Sequence, residues 1–270
     1  MNLPKERKLH PQSLLWQTYL QARDECVQPS GNNMTRIRMF ALAVSVIAAL
    51  LAGCGGGGGG GNAAPVPTTG FPVLAGYQAR ISAGAADNFT VSGICTGTAS
   101  IVTGAATPVT FNGVQAFAAP QTVTVGDSNC GPAHTVSGTS YFNVNYTPLG
   151  SSIPGGEYIE FVTPPLPLPA KALPAKASVG DSGDYATLAT FADATKAVST
   201  GKRVLSYVIG RDTINTAIVV LVTKGYNTSN QLIFTQLSRY RIEANGRLTL
   251  IVIDNQPGST GDTHLLYTKV

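Results

Sequence analysis

From Phe71 onward, apolar and polar side chains take turns at a period of two. Phe89, Val91 and Cys95 share one parity around Thr90 and Ser92, and Ile159 and Phe161 flank Glu160. Phe142, Val144 and Tyr146 alternate in the same way with Tyr141, Asn143 and Asn145. Such alternation sends one set of side chains to a core and the other to water, as in a half-buried strand. Clusters of Pro, Gly, Asn and Asp separate the runs and supply turns.

The signal strengthens toward the C-terminus. Strands are predicted at Tyr185–Phe191, Arg203–Ile209, Thr216–Thr223, Gln231–Ile242, Arg247–Asp254 and His264–Thr268. Val204 to Ile209 and Ala217 to Val222 are dense in apolar residues and are expected to run centrally in a sheet. Ala244-Asn245-Gly246 joins two of the best strands, and Asn-Gly readily takes the positive φ of a hairpin turn. Arg239, Arg241 and Glu243 alternate with Tyr240 and Ile242, which predicts a charged outer face. Helical periodicity is weak throughout, and Phe191–Thr200 is the one stretch with room for a turn of helix.

Residues 164–177 break the pattern with five prolines and a tandem Leu-Pro-Ala-Lys-Ala repeat. Proline lacks the N–H of a ladder hydrogen bond, so a connector or an extended segment hugging an edge is expected. The fold class is therefore all-β and antiparallel. It is a sandwich or meander, with residues 71–163 and 178–270 forming two small β domains across a Pro-rich connector, or one continuous sandwich or barrel.

Composition narrows the setting. Charged residues are only 12% of the chain, about half the usual share, which suits an exported β protein. The formal charge of +4 is unevenly placed: residues 1–53 carry six basic and three acidic side chains, leaving 12 and 11 for the remainder. A nearly neutral 54–270 has no electrostatic footprint for nucleic acid.

Arg36 and Arg38 precede a run of apolar residues from Phe40 to Leu51, the order of a secretory signal peptide at 34–53. As a helix this run reaches about 18 Å, short of a ~30 Å hydrocarbon core. Leu51-Ala52-Gly53-Cys54 follows directly and resembles the lipobox of bacterial lipoproteins. That resemblance implies cleavage between Gly53 and Cys54, a diacylglyceryl group on the Cys54 thiol, usually a further acyl (palmitate-type) chain on its amine, and a membrane as partner. Two or three acyl chains anchor stably where one is marginal. In Gram-negative members of this family, a residue other than Asp after the cysteine, here Gly55, implies sorting to the outer membrane. Translation is expected to start at Met34, with residues 1–33 a mis-called extension; a long n-region is the alternative.

Seven glycines, Gly55 to Gly61, open a tether over 54–70. They lack the Lys-Ser/Thr ending of a phosphate loop. A flexible chain of this length reaches about 20–24 Å, enough to hold a domain clear of headgroups. With Cys54 lipidated, Cys95 and Cys130 remain as a pair in an oxidising compartment, where a disulfide is expected. His134 alone nearby does not complete a zinc site with them.

Catalytic chemistry is sparse. Gly180-Asp181-Ser182-Gly183 resembles the nucleophile segment of chymotrypsin-like serine proteases, but Asp184-Tyr185 replace the Gly-Pro that follows in that family. His134 stands too close upstream for two protease barrels to fit between them. Val125-Gly126-Asp127-Ser128 repeats the theme, which points to turn chemistry. Asp181 and Asp184 read as solvated turn carboxylates. No cofactor or metal site is expected. The leading expectation is a non-catalytic binding or structural module in the cell envelope, with a protein or glycan partner. The alternative is a periplasmic or surface hydrolase using His134 or His264 with a carboxylate.

Overall fold

The alternating pattern becomes thirteen strands and one helix in a computed structural model that describes residues 70–161, 172–258 and 264–270. Gly53, Cys54, the signal segment and the tether up to residue 69 lie outside the described residues, as does 164–171 of the connector. The helix, α1, spans Val73–Ala83. The strands of the first half are β1 Ala85–Gly93, β2 Gly97–Thr103, β3 Thr107–Phe111, β4 Val114–Val125, β5 His134–Phe142, β6 Pro148–Ser152 and β7 Tyr158–Phe161. Those of the second half are β8 Ser182–Phe191, β9 Ser199–Arg211, β10 Thr216–Tyr226, β11 Leu232–Glu243, β12 Leu248–Pro257 and β13 Leu265–Lys269.

All pairings are antiparallel, and the sheet closes on itself. The meander runs from β4 to β13 between sequence neighbours; β13 then pairs with β1, β1 with β2, and β2 with β4. Twelve strands make the ring. The expected sandwich is thus corrected to a barrel: one sheet curls until its ends meet, which removes its open edges. β7 and β8, on either side of the Pro-rich connector, are hydrogen-bonded neighbours, so both halves of the chain form one wall.

The thirteenth strand, β3, pairs only with the first residues of β4, from Val114 to Ala118. This hairpin folds against outward-facing aromatics of β5 and β7. Phe111 stacks on Tyr141 at 4.1 Å, and the Tyr158 hydroxyl donates to Asn112 Oδ1 at 3.0 Å.

Inward positions carry the core. Phe89 and Val91 face Tyr267, Ile253, Phe234 and the cystine in one cluster; Ile209, Val219, Ile242 and Leu248 gather in another. Outward positions of the same strands carry Lys202, Lys224, Arg239 and Arg241 among valines and threonines. Phe234 lies flat over Gly225 on the facing strand, where a Cβ would fall 2.0 Å from its ring.

Helix α1 sits against the strand ends, with Val73, Gly76 and Ile81 turned inward. Pro72 at its N-cap has the preset φ of a helix start. The helix ends at Gly84, φ 74°. Gly76 permits its approach to the β11–β12 turn: a Cβ there would stand 2.1 Å from the Gly246 carbonyl oxygen. Phe71 exchanges two backbone hydrogen bonds with Ala177, and the Leu74 N–H donates to the Pro174 carbonyl. The end of the Pro-rich connector therefore straps the helix down as an extended segment, and burying Phe71 adds about 2 kcal/mol.

Two local expectations are corrected. The alternation through Tyr146 overruns the strand, because Asn143 Oδ1 accepts the N–H groups of Asn145 and Thr147 and turns the chain after Phe142. Phe191–Thr200 holds a turn around Asp193 and Lys196 rather than a helix.

Candidate functional site

A barrel of this many strands is wider than its own side chains readily fill. A cavity of about 200 Å³ remains beneath α1, where the apolar clusters meet. Tyr77, Arg80 and Ile81 of the helix form one side. The wall supplies apolar surface from Ile101, Phe142, Leu250 and Ile253, and polar groups from Asp87, Gln121, Ser140, Gln236 and Ser238. Strand parity points the wall residues inward, and a β-bulge in β12 opposite Arg239 and Tyr240 lets both Leu250 and Ile253 face the interior.

Asp87 organises the polar side. It is 3% exposed and is paired with Arg80 from the helix and with Lys269 Nζ at 2.6 Å from the last strand. The Arg80 guanidinium lies over the Tyr240 ring, 5.5 Å from its centroid, a contact that steadies its plane. Burial raises the Tyr240 hydroxyl above its usual pKa, partly offset by Arg80, and raises that of Tyr77 well above it. Both phenols are therefore neutral hydrogen-bond donors.

A second buried pair, Glu157 with Arg203, lies elsewhere inside the ring. Arg203 stands 5.5 Å from the centroid of Phe234. Burial pushes the Glu157 carboxyl up to about 7, against the opposing pull of Arg203. This pair does not line the cavity and reads as structural.

The residues singled out in the sequence fall into separate places. Cys95 and Cys130 form the expected disulfide, both 4% exposed and packed in the first cluster. His264 Nδ1 lies 3.1 Å from Asp254 Oδ1 on the outer surface, where Arg239 also approaches that carboxylate. His134 Nδ1 lies 3.3 Å from the Pro132 carbonyl oxygen. Ser182 is exposed at the start of β8, and Asp181 Oδ2 accepts the Ser178 N–H in its own turn. Asp127 Oδ1 likewise accepts the Ala133 N–H. Among the described residues no hydrogen bond joins either Gly-Asp-Ser segment to a histidine side chain, although Val125 stands opposite His134 across the β4–β5 ladder. Among the described residues, no three His, Cys, Asp or Glu side chains converge as metal ligands would.

Sequence reasoning did not single out Arg80, Asp87 or Lys269. The signal was present for two of them: Asp87 is in phase with Phe89 and Val91, and Lys269 with Leu265 and Tyr267. A charge in register with the core-facing set must find a partner inside. No family model matches the chain, and neither do curated proteins or solved structures.

Proposed function

We propose that this chain is a lipid-anchored cell-envelope protein whose barrel is a non-catalytic module binding a small ligand in its interior. The cavity beneath α1 carries the reading: it is lined by apolar and polar groups together, the mixture that small-molecule sites use for affinity and orientation. The wall supports it further. The core-facing side is mostly apolar, while Lys202, Lys224, Arg239 and Arg241 stand on the outer face where a barrel immersed in lipid would carry an uncharged apolar band. Those outward charges support a barrel that stands in water, held to the membrane by lipid on Cys54 through the glycine tether.

Two measurements test the reading. Cys54→Ala should abolish palmitate incorporation and release the protein from the membrane fraction; continued labelling sinks the anchor. Native mass spectrometry of protein extracted from its own membranes should show one small molecule per barrel, and a bare mass refutes the binding module.

One observation favours a second reading. A carboxylate on Nδ1 holds an imidazole with its other nitrogen available as a base, and Asp254 stands so against His264. A surface hydrolase built on this pair would turn over p-nitrophenyl acetate and lose that activity in His264→Ala. Equal rates for the two proteins dismiss it.

A further inference from the structure

We infer that the internal cavity selects a small organic anion, a monocarboxylate with an apolar body of roughly ten heavy atoms. This rests on the binding-module reading above. Size comes first. A cavity of about 150 Å³ accommodates benzene, so about 200 Å³ takes a ring or short chain bearing one polar head. The walls divide accordingly, with Ile101, Phe142, Leu250 and Ile253 offering apolar contact and Arg80 standing among the polar groups.

The sign of the head follows from charge counting. Asp87 is the one carboxylate lining the cavity, and it is shared by Arg80, which lines the cavity beside it, and Lys269, which reaches it from outside the lining. The cluster therefore carries one positive charge in excess. With Arg80 19% and Lys269 30% exposed, solvent screens part of this excess, and what remains favours an anion over a cation. A cationic ligand would meet the Arg80 guanidinium and a carboxylate already occupied by two cations. The guanidinium geometry suits the head as well. Its planar fork matches a carboxylate with paired N–H donors, and the Tyr240 ring fixes the plane of that fork. The Tyr77 and Tyr240 hydroxyls, kept protonated by burial, add neutral donors on the same side. A neutral polyol would use the glutamines and serines but would leave the excess charge unanswered.

The test uses full-length protein in detergent, with benzoate and its neutral near-isostere benzamide as probes in calorimetric titration. Benzoate should bind at least tenfold more tightly than benzamide. Arg80→Gln should erase that preference. Because this change also strips Asp87 of a partner, Lys269→Met provides the second arm. It keeps the Arg80–Asp87 pair and removes the excess charge, so benzoate should weaken at least fivefold while benzamide is unchanged. Equal binding of the two probes overturns the anion inference. A neutral molecule found by native mass spectrometry, with no benzoate binding, overturns it too and leaves the binding module standing. A bare native mass together with no binding of either probe brings down both.

Discussion

Arg203→Met is expected to destabilise the barrel by about 3–5 kcal/mol at pH 8 and by clearly less at pH 5. The substitution removes the guanidinium and leaves the Glu157 carboxyl, 4% exposed, with no compensating charge. Breaking one partner of a buried pair typically costs that much, because the remaining charge is stranded. Acid relieves the penalty, since a protonated carboxyl is far cheaper to bury. The native protein already leans this way. Its Glu157 is raised to about 7 from 4.5, so the folded state holds a proton that the unfolded state releases. Stability from this group is fully present below about pH 4.5 and is lost as pH rises through 7, by as much as ~3 kcal/mol. Asp212, held down by Arg241, works in the opposite sense and loses its contribution in acid. The informative quantity is therefore a difference: urea unfolding of native protein and Glu157→Gln from pH 4 to 8. The variant should lose the decline between 4.5 and 7. Parallel curves would mean that Glu157 ionises normally inside the barrel.

Opening the disulfide should cost a comparable amount. Cys95 and Cys130 close a loop of 35 residues that contains β2, β3 and β4. The cross-link restrains the unfolded chain by about 3–4 kcal/mol in the chain-entropy model. The double substitution Cys95→Ala, Cys130→Ala should lower the urea midpoint accordingly while leaving the unfolding slope similar. Both sulfurs are buried, so reductant alone should leave the folded protein cross-linked until denaturant exposes them. Reduction at full speed without denaturant, or an unchanged midpoint in the double variant, would refute this account.

The strands were legible because alternation is a local property. All six strands read in the C-terminal half lie within a few residues of the observed ones, and Tyr240 and Ile242 point inward as their phase required. Curvature was not legible. Alternation says which face is covered, and a sandwich and a barrel cover the same face. The deciding contacts join β1 to β13 and β2 to β4, and nothing in a local window specifies them. Helix α1 escaped notice because Val73, Leu74, Tyr77 and Ile81 share one face but Ala75, Ala79 and Ala83 lie away from it, so there is little polar contrast. It is held by the barrel mouth and the connector more than by its own pattern. The cavity was hidden for a different reason. Its chemistry rests on Arg80 and Asp87, seven residues apart on different elements, and on Lys269, 182 residues beyond Asp87, which joins them only when the ring closes. The readable trace of such sites is a charge in phase with the core, as at Asp87, Arg203 and Glu157.

The seam between the first and last strands also governs how the molecule can form. Phe89 is opposite Lys269 and Gly93 opposite Leu265, so the pairing with the longest loop to close is the one that completes the cylinder. Loop closure of that length is entropically costly, and topologies dominated by distant pairings fold slowly. Until Leu265–Lys269 docks, β1 and β12 each present an unsatisfied backbone edge to any chain nearby. Crowded nascent copies are thus exposed to edge-to-edge association for the whole of that interval, and the final strand ends the exposure on both sides at once.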